Sequence, residues 1–231
     1  MTTPTFPPLT LADQPGATLR ISPTDVSQFI RLDQCRRYLR LRLHERIHGQ
    51  GFMTSYGVAP QAIPPMLTIA GARFEDQVEA AATRHIPSAV NCRTAAQAGD
   101  DAFTGPDHNA LIVARAQALA PGERTLLFQP RLRVRLSGWE LRGDIDLLHL
   151  ERTEAGELHV LIADIKSSTA AKVEHRLQVA FYHEMLAALF AEAQIAVEHI
   201  ATGILYRGPA PHPLALSPTE QARLEAQRLE A

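Results

Sequence analysis

The sequence predicts an α/β fold: a mixed central sheet, built from a three-strand meander, a crossover helix and a fourth strand, flanked by helices. Three observations predict it. The first half carries helix starts, stops and apolar stripes; from Arg124 to Lys166 apolar and polar residues alternate with period two; and a helical stripe at 173–193 then precedes one more strand-like run. A meander followed by a helix and a strand returns that last strand to the same sheet.

In chain order, Met1 to Gly16 is rich in Pro and Thr, with neither the basic nor the apolar region of a signal peptide, and residues 1–20 are expected to be a flexible lead-in. Ser22-Pro23-Thr24-Asp25 opens a helix, with a capping residue and a proline in the first turn. That helix is expected to run to about His48, where Gly49-Gln50-Gly51 stops it. A loop with Pro60, Pro64 and Pro65 leads to a second helix, Met66 to His85, closed by Pro87. Residues 88–105 are small and polar and read as a loop. Asp107 to Leu119 reads as a third helix, ended by Pro121-Gly122.

Leu126 to Leu136 and Trp139 to Leu150 alternate as strands joined by a Ser137-Gly138 hairpin turn. Glu154-Ala155-Gly156 turns the chain into a buried strand, Leu158 to Lys166. The helix Val173 to Ala193 presents Leu177, Ala180, Phe181, Met185, Leu186 and Leu189 as one stripe. Val197 to Tyr206 is the fourth strand, 209–213 a Pro-rich loop, and Ser217 with Glu220 starts a final charged helix. The expected organisation is therefore a main domain over 21–215, with a helical part at 21–120, and a C-terminal helix over 216–231.

At 231 residues the chain suffices for one sizeable α/β domain. Its 45% hydrophobic and 21% charged residues are ordinary for a globular protein, and no run approaches the ~18 apolar residues of a bilayer span. No membrane association is expected. Two cysteines, Cys35 and Cys92, make no disulfide framework and point to a reducing cytoplasm. A net charge of −2 provides no global attraction for nucleic acid, so such binding needs a local patch. Arg31, Arg36, Arg37, Arg40, Arg42 and Arg46 form one, opposed by Asp33 and Glu45; Arg31 to Arg42 make a candidate phosphate track, against the plain alternative of a solvated helix face. Arg131, Arg133 and Arg135, with Arg142, form a second set on strands.

The chemistry concentrates at Asp164-Ile165-Lys166. Residues two apart on a strand share a face, so Asp164 and Lys166 emerge together while Ile165 packs on the other side. By itself such a tripeptide is most often a surface ion pair. Upstream, however, Gly143-Asp144-Ile145-Asp146 places further carboxylates on a neighbouring strand, and Gln178 and Tyr182 follow one helical turn apart. Asp146 and Asp164 could converge on Mg²⁺, which takes oxygen ligands and keeps several waters. The Ile165 carbonyl is a further candidate ligand, and Lys166 would lie by the attacking water. Phosphodiester hydrolysis needs charge neutralisation, an activated water and a stabilised leaving oxygen, all of which this set can supply.

With Gly143-x-x-Asp146, the apolar strand into Asp164-x-Lys166-Ser167-Ser168, and Gln178-x-x-x-Tyr182, the chain resembles the RecB-type branch of the PD-(D/E)xK nucleases. Ile21 to Asp25 with Cys35-Arg36-Arg37-Tyr38-Leu39 is similar to that branch's opening helix, and Gly71-x-x-Phe74-Glu75 to a helix supplying another ligand. The resemblance covers about residues 20 to 210 and implies a restriction-endonuclease-like core. It implies metal ligation of Mg²⁺ or Mn²⁺ by Glu75, Asp146 and Asp164, Lys166 as catalytic lysine, and Gln178 and Tyr182 lining the site and positioning DNA. Asp144, expected on the strand face of Asp146, is held in reserve. The implied activity is a DNA exonuclease leaving 5′-phosphate and 3′-hydroxyl ends, in repair, recombination or CRISPR-type processing, with a helicase, CRISPR or repair protein as partner. Many such relatives hold an iron–sulfur cluster with one cysteine near the first helix and three near the C-terminus. Cys35 stands at the first position, but Cys92 is the last cysteine, so no cluster is expected and Cys35 reads as a buried apolar residue. Residues 221–231 look like a helix in mid-course, which leaves a longer chain open.

Two alternatives stand beside this reading. His44-Glu45-Arg46-Ile47-His48 matches the H-E-x-x-H of zinc metallopeptidases, with Glu75 or Glu79 as a third ligand. Against it, His48 would sit in the last turn of its helix, Arg46 adds a cation, and position 54 is Thr, not a third histidine. The other alternative is a nuclease fold that binds nucleic acid without cleaving it; the intact Asp146, Asp164 and Lys166 argue against that.

Overall fold

The strand Leu158–Lys166 (β7) forms as predicted and is the axis of the molecule. In this computed structural model, residues 19–49, 51–58, 65–168 and 172–207 are described. Ahead of β7 come β1 (Leu19–Ile21), α1 (Pro23–Arg31), α2 (Arg36–His48), α3 (Phe52–Ser55), α4 (Pro65–His85), β2 (Val90–Asn91), α5 (Cys92–Gln97) and α6 (Asn109–Ala118). Four strands follow, β3 (Arg124–Phe128), β4 (Arg131–Leu136), β5 (Trp139–Asp144) and β6 (Leu147–Arg152). After β7 come α7 (Val173–Glu192) and β8 (His199–Tyr206).

The main sheet has the order β2-β3-β6-β7-β8, and a second, smaller sheet the order β1-β5-β4. In the main sheet β3, β6 and β7 run antiparallel, while β8 pairs parallel to β7 after the α7 crossover. This is the mixed α/β sheet that the period change predicts. Its two faces are both covered. Leu158, Val160 and Ile162 of β7 pack with Met185, Leu186, Leu189 and Phe190 of α7. Ala163 lies on the other face with Leu126, Phe128 and Leu147, against Val78 and Ala82 of α4. A central strand covered twice needs a nearly continuous apolar run, which β7 has from Ile162 to Ile165 except for Asp164. Each fully buried Leu or Ile contributes roughly 1.5–3 kcal/mol, so an acid in that run has to be kept for another reason.

Several expectations need correction. The single helix from Pro23 to His48 is two: Asp33 and Gln34 take left-handed φ of 52° and 56°, and Cys35 restarts the helix as its N-cap. The short polar side chain of Asp33 tolerates that conformation, and the helix breaks there without glycine or proline. Cys35 is consequently exposed, not a buried apolar residue. Residues 88–105 are not a loop. Asn91 accepts a hydrogen bond from the Thr94 N–H and caps α5, and Asp100 caps a 3-10 turn at Asp101–Phe103. Leu19 and Arg20 belong to β1, not to a flexible lead-in.

The most consequential correction concerns the two long strands. Both are cut at the same level. Pro130 lacks an N–H and Gln129 takes a φ of 52°, so the first breaks into β3 and β4; the second breaks at Ile145-Asp146 into β5 and β6. The two breaks hydrogen-bond each other, Gln129 N–H to the Asp146 carbonyl and Ile145 N–H to the Pro130 carbonyl. One long ribbon thus bends, its base staying in the main sheet and its tip leaving to join β1. At the tip Ser137 and Gly138, both with positive φ, make the predicted hairpin turn between Leu136 and Trp139. The loop at 209–213 and the helix expected over 216–231 lie outside the described residues, and no helix among those described is long and apolar enough to cross a membrane.

Candidate active site

Asp164 and Lys166 leave β7 on the face toward α7. Asp164 is wholly buried, and the Lys166 ammonium donates to its Oδ1 at 2.7 Å. Lys166 Nζ also stands 3.7 Å from Asp146 Oδ2, so one cation sits between two carboxylates. The ribbon's bend brings Asp146 there. Its Oδ2 accepts the Ile165 backbone N–H at 2.7 Å. In a continuous β6 ladder that donor would face a backbone carbonyl; the bend removes the carbonyl and gives the donor a side chain. Ile165 itself is buried on the opposite face, as strand alternation requires.

Helix α7 secures the bend. Tyr182 is buried and its hydroxyl donates to the Asp144 carbonyl. Gly143 makes this possible: a Cβ there would stand 2.6 Å from the Tyr182 ring and 2.9 Å from Pro23 Cγ. Burial holds the Tyr182 phenol well above its usual pKa, with Gln178 beside it pulling the other way. A cleft of about 400 Å³ opens here, lined by Asp144, Asp146, Gln178 and Tyr182, together with Arg46, Arg20 and Arg142. Asp146 lines this cleft, whereas the buried Asp164 does not.

Glu75 approaches from α4. It accepts from Gln129 Nε2 at 3.4 Å, and burial followed by the Asp146 charge raises its pKa, against Arg93 and Lys166. Asp164 is pushed up further, to about 7; burial is the main cause and Lys166 opposes it. Its Oδ2 is buried with no hydrogen-bond partner among the described residues. A carboxylate oxygen in that position is costly to bury, and a hard divalent cation is the partner that best relieves it. The donors at hand, carboxylates without sulfur or imidazole, suit Mg²⁺ or Mn²⁺. No three His, Cys, Asp or Glu side chains among the described residues are grouped as a ready cage. Mg²⁺ does not need one, because one or two carboxylates and its own waters suffice.

The remaining expected residues are placed as follows. Asp144 does not share a strand face with Asp146; it is exposed at the end of β5 and pairs with Arg131 at 3.3 Å. Arg31, Arg36 and Arg37 are exposed on α1 and α2, and Arg40 is half-buried. Arg42 is engaged, donating to Glu45 at 2.6 Å and to Asp25 at 3.2 Å, and Arg46 also pairs with the buried Asp25. His44 is buried and stacks on Phe52. Glu45, the general base that the zinc reading requires, is held by Arg42.

Two parts of this region escaped the sequence reading. Gln129 holds Glu75 from the bend, which Gln129-Pro130 could have signalled. His175 of α7 meets the Tyr206 hydroxyl at 3.2 Å, beside the strand position paired with Lys166. Burial, then Lys166, lowers the His175 pKa.

The sequence model of the PD-(D/E)XK nuclease superfamily matches residues 66–229, which contain Glu75, Asp146, Asp164 and Lys166. No curated protein matches the chain.

Proposed function

The chain belongs to the PD-(D/E)XK nuclease superfamily, metal-dependent enzymes that hydrolyse phosphodiester bonds, and from that premise we propose that it is a RecB-type deoxyribonuclease acting as an exonuclease. The observation that carries this reading is Lys166 Nζ between Asp164 and Asp146. Such a site suits DNA repair, recombination or CRISPR-type processing, alongside a helicase or repair partner.

Asp146 and Asp164 would hold the divalent ion, with Glu75 and the Ile165 carbonyl as further oxygen donors. When bound, the ion supplies charge neutralisation at the phosphate, a more acidic water and a stabilised leaving oxygen. The protein's own groups do the rest. Asp146 presents its charge to the cleft, fixed in direction by the Ile165 N–H. Lys166, held against Asp164, orients the attacking water and offsets the negative charge that grows on the phosphorus oxygens. Tyr182 acts as a positioning residue, holding the bend through the Asp144 carbonyl, and Gln178 lines the path of the strand. Arg31, Arg36, Arg37, Arg40 and Arg42 are candidate phosphate contacts, Arg42 the least available of them.

Labelled single- and double-stranded DNA and RNA, incubated with Mg²⁺, Mn²⁺ or EDTA, test the proposal. It expects DNA to be shortened from an end in either metal and untouched in EDTA. Cleavage that persists in EDTA, or RNA cleavage alone, would count against it.

A further inference from the structure

The small sheet has two unlike faces. One is apolar: Leu132, Val134 and Leu141 are buried in the core that includes Tyr182 and Met185. The other is strongly basic. Strand alternation puts Arg131, Arg133 and Arg135 on one side of β4, and the register sets Asp144, Arg142 and Glu140 of β5 opposite them. Arg20 of β1 adds a further cation opposite Glu140.

The two acids do not neutralise this face. Asp144 is taken by Arg131, and Glu140 Oε1 by Arg20 at 2.7 Å, leaving Arg133 at 3.9 Å from the same oxygen. Arg142 makes no hydrogen bond or ion pair among the described residues, and its direct cross-strand partner is Arg133. Like charges directly opposed across two strands are destabilising. Burial, and then Arg131, lower the Arg142 pKa, while Asp144 only partly offsets them. Folding stability alone gives no reason to place an unpaired guanidinium against another.

The position of this face supplies a reason. Arg20 and Arg142 line the cleft that Asp146 also lines, and β5 runs directly into the bend carrying Asp146. We propose that the basic face of the small sheet, with Arg142 and Arg133 at its centre, binds the phosphate backbone of a nucleic-acid strand and leads it through the cleft to Asp146. The inference rests on the nuclease reading for its ligand class. It differs from the α1–α2 arginines in location and in cause, since Arg42 and Arg46 are already committed to Asp25. Side chains two residues apart on β4 are about 6.8 Å apart along the strand, a regular ladder of charge suited to a polyanion.

The test is fluorescence anisotropy of a labelled single-stranded oligonucleotide in EDTA, over a range of salt, with wild type, Arg133→Ala/Arg142→Ala, Arg135→Ala and Arg31→Ala/Arg36→Ala/Arg37→Ala. Loss of two phosphate contacts lowers the slope of log affinity against log salt by about 1.4 and weakens binding roughly tenfold at low salt. The double variant should show both, with an unchanged or higher Tm because it relieves a repulsion. Arg135→Ala should lose less. A double variant that binds as wild type does, or whose Tm collapses, overturns the assignment, as does a wild type that does not bind. Binding needs no cleavage, so this arm stands apart from failure of the nuclease reading.

Discussion

The Ile165 backbone N–H donates to Asp146 Oδ2 at 2.7 Å, so the strand that carries Asp164 and Lys166 also aims the other carboxylate. Ligand direction and strand pairing are therefore one interaction. Separating charge from hydrogen bonding makes this testable. Asp146→Asn keeps an oxygen acceptor for Ile165 and should lose cleavage at least 100-fold with a Tm near wild type. Asp146→Ala should lose cleavage and also about 1–3 kcal/mol of stability, the cost of an unpaired buried N–H. Rate assays and thermal unfolding of both variants check it; equal stability loss in the two would show that the bond does not matter.

Asp164 ties stability to pH. Its folded pKa, pushed up to about 7 by burial, lies above that of a free carboxylate near 4. The folded state thus holds the proton more tightly, and stability falls as pH rises between the two values and stays low above the folded one. Asp164→Asn mimics the protonated form. It should raise Tm more at pH 8 than at pH 5, by about 2–4 °C for each kcal/mol relieved, while abolishing cleavage. A gain independent of pH would contradict this origin.

Gly143 is required by contact, not by backbone conformation. A methyl group there meets the Tyr182 ring at 2.6 Å, and overpacking of this kind costs about 1–3 kcal/mol. Gly143→Ala should lower Tm and, by displacing the bend, reduce turnover more than metal affinity. Unchanged turnover would mean that Tyr182 does not fix Asp146.

Asp25 is the buried anion shared by Arg42 and Arg46, and it also closes the α1 cap with Ser22. Removing one side of a buried pair costs about 3–5 kcal/mol. Asp25→Ala should therefore destabilise the chain by about that much in urea unfolding, against a loss below about 1 kcal/mol for an exposed pair.

Much of the fold was legible where pattern and environment agree. The β7 strand, the α7 crossover and the Ser137-Gly138 hairpin all follow from alternation, stripe and turn residues. The shared face of Asp164 and Lys166 follows from strand period, their chemistry only from the neighbouring motifs, and Glu75 from the resemblance of its surrounding motif. The breaks were not legible in the same way. Pro130 marks one, but its partner at Ile145-Asp146 carries no breaker and exists because paired strands must bend together. The left-handed Asp33-Gln34 likewise has no local signal as strong as glycine. The basic sheet face stayed hidden because alternating Arg and apolar residues describe any half-buried strand; the Arg133–Arg142 juxtaposition depends on register.

The most direct test separates the roles of Asp164 and Lys166. Mn²⁺ binding by calorimetry and DNA cleavage are measured for wild type, Asp164→Ala and Lys166→Ala. Both variants should lose cleavage at least 100-fold; Asp164→Ala should lose Mn²⁺ binding, whereas Lys166→Ala should keep it or bind more tightly, because its ammonium no longer competes for the carboxylates. Metal-dependent cleavage that survives both substitutions, or Mn²⁺ binding indifferent to Asp164, would contradict the site.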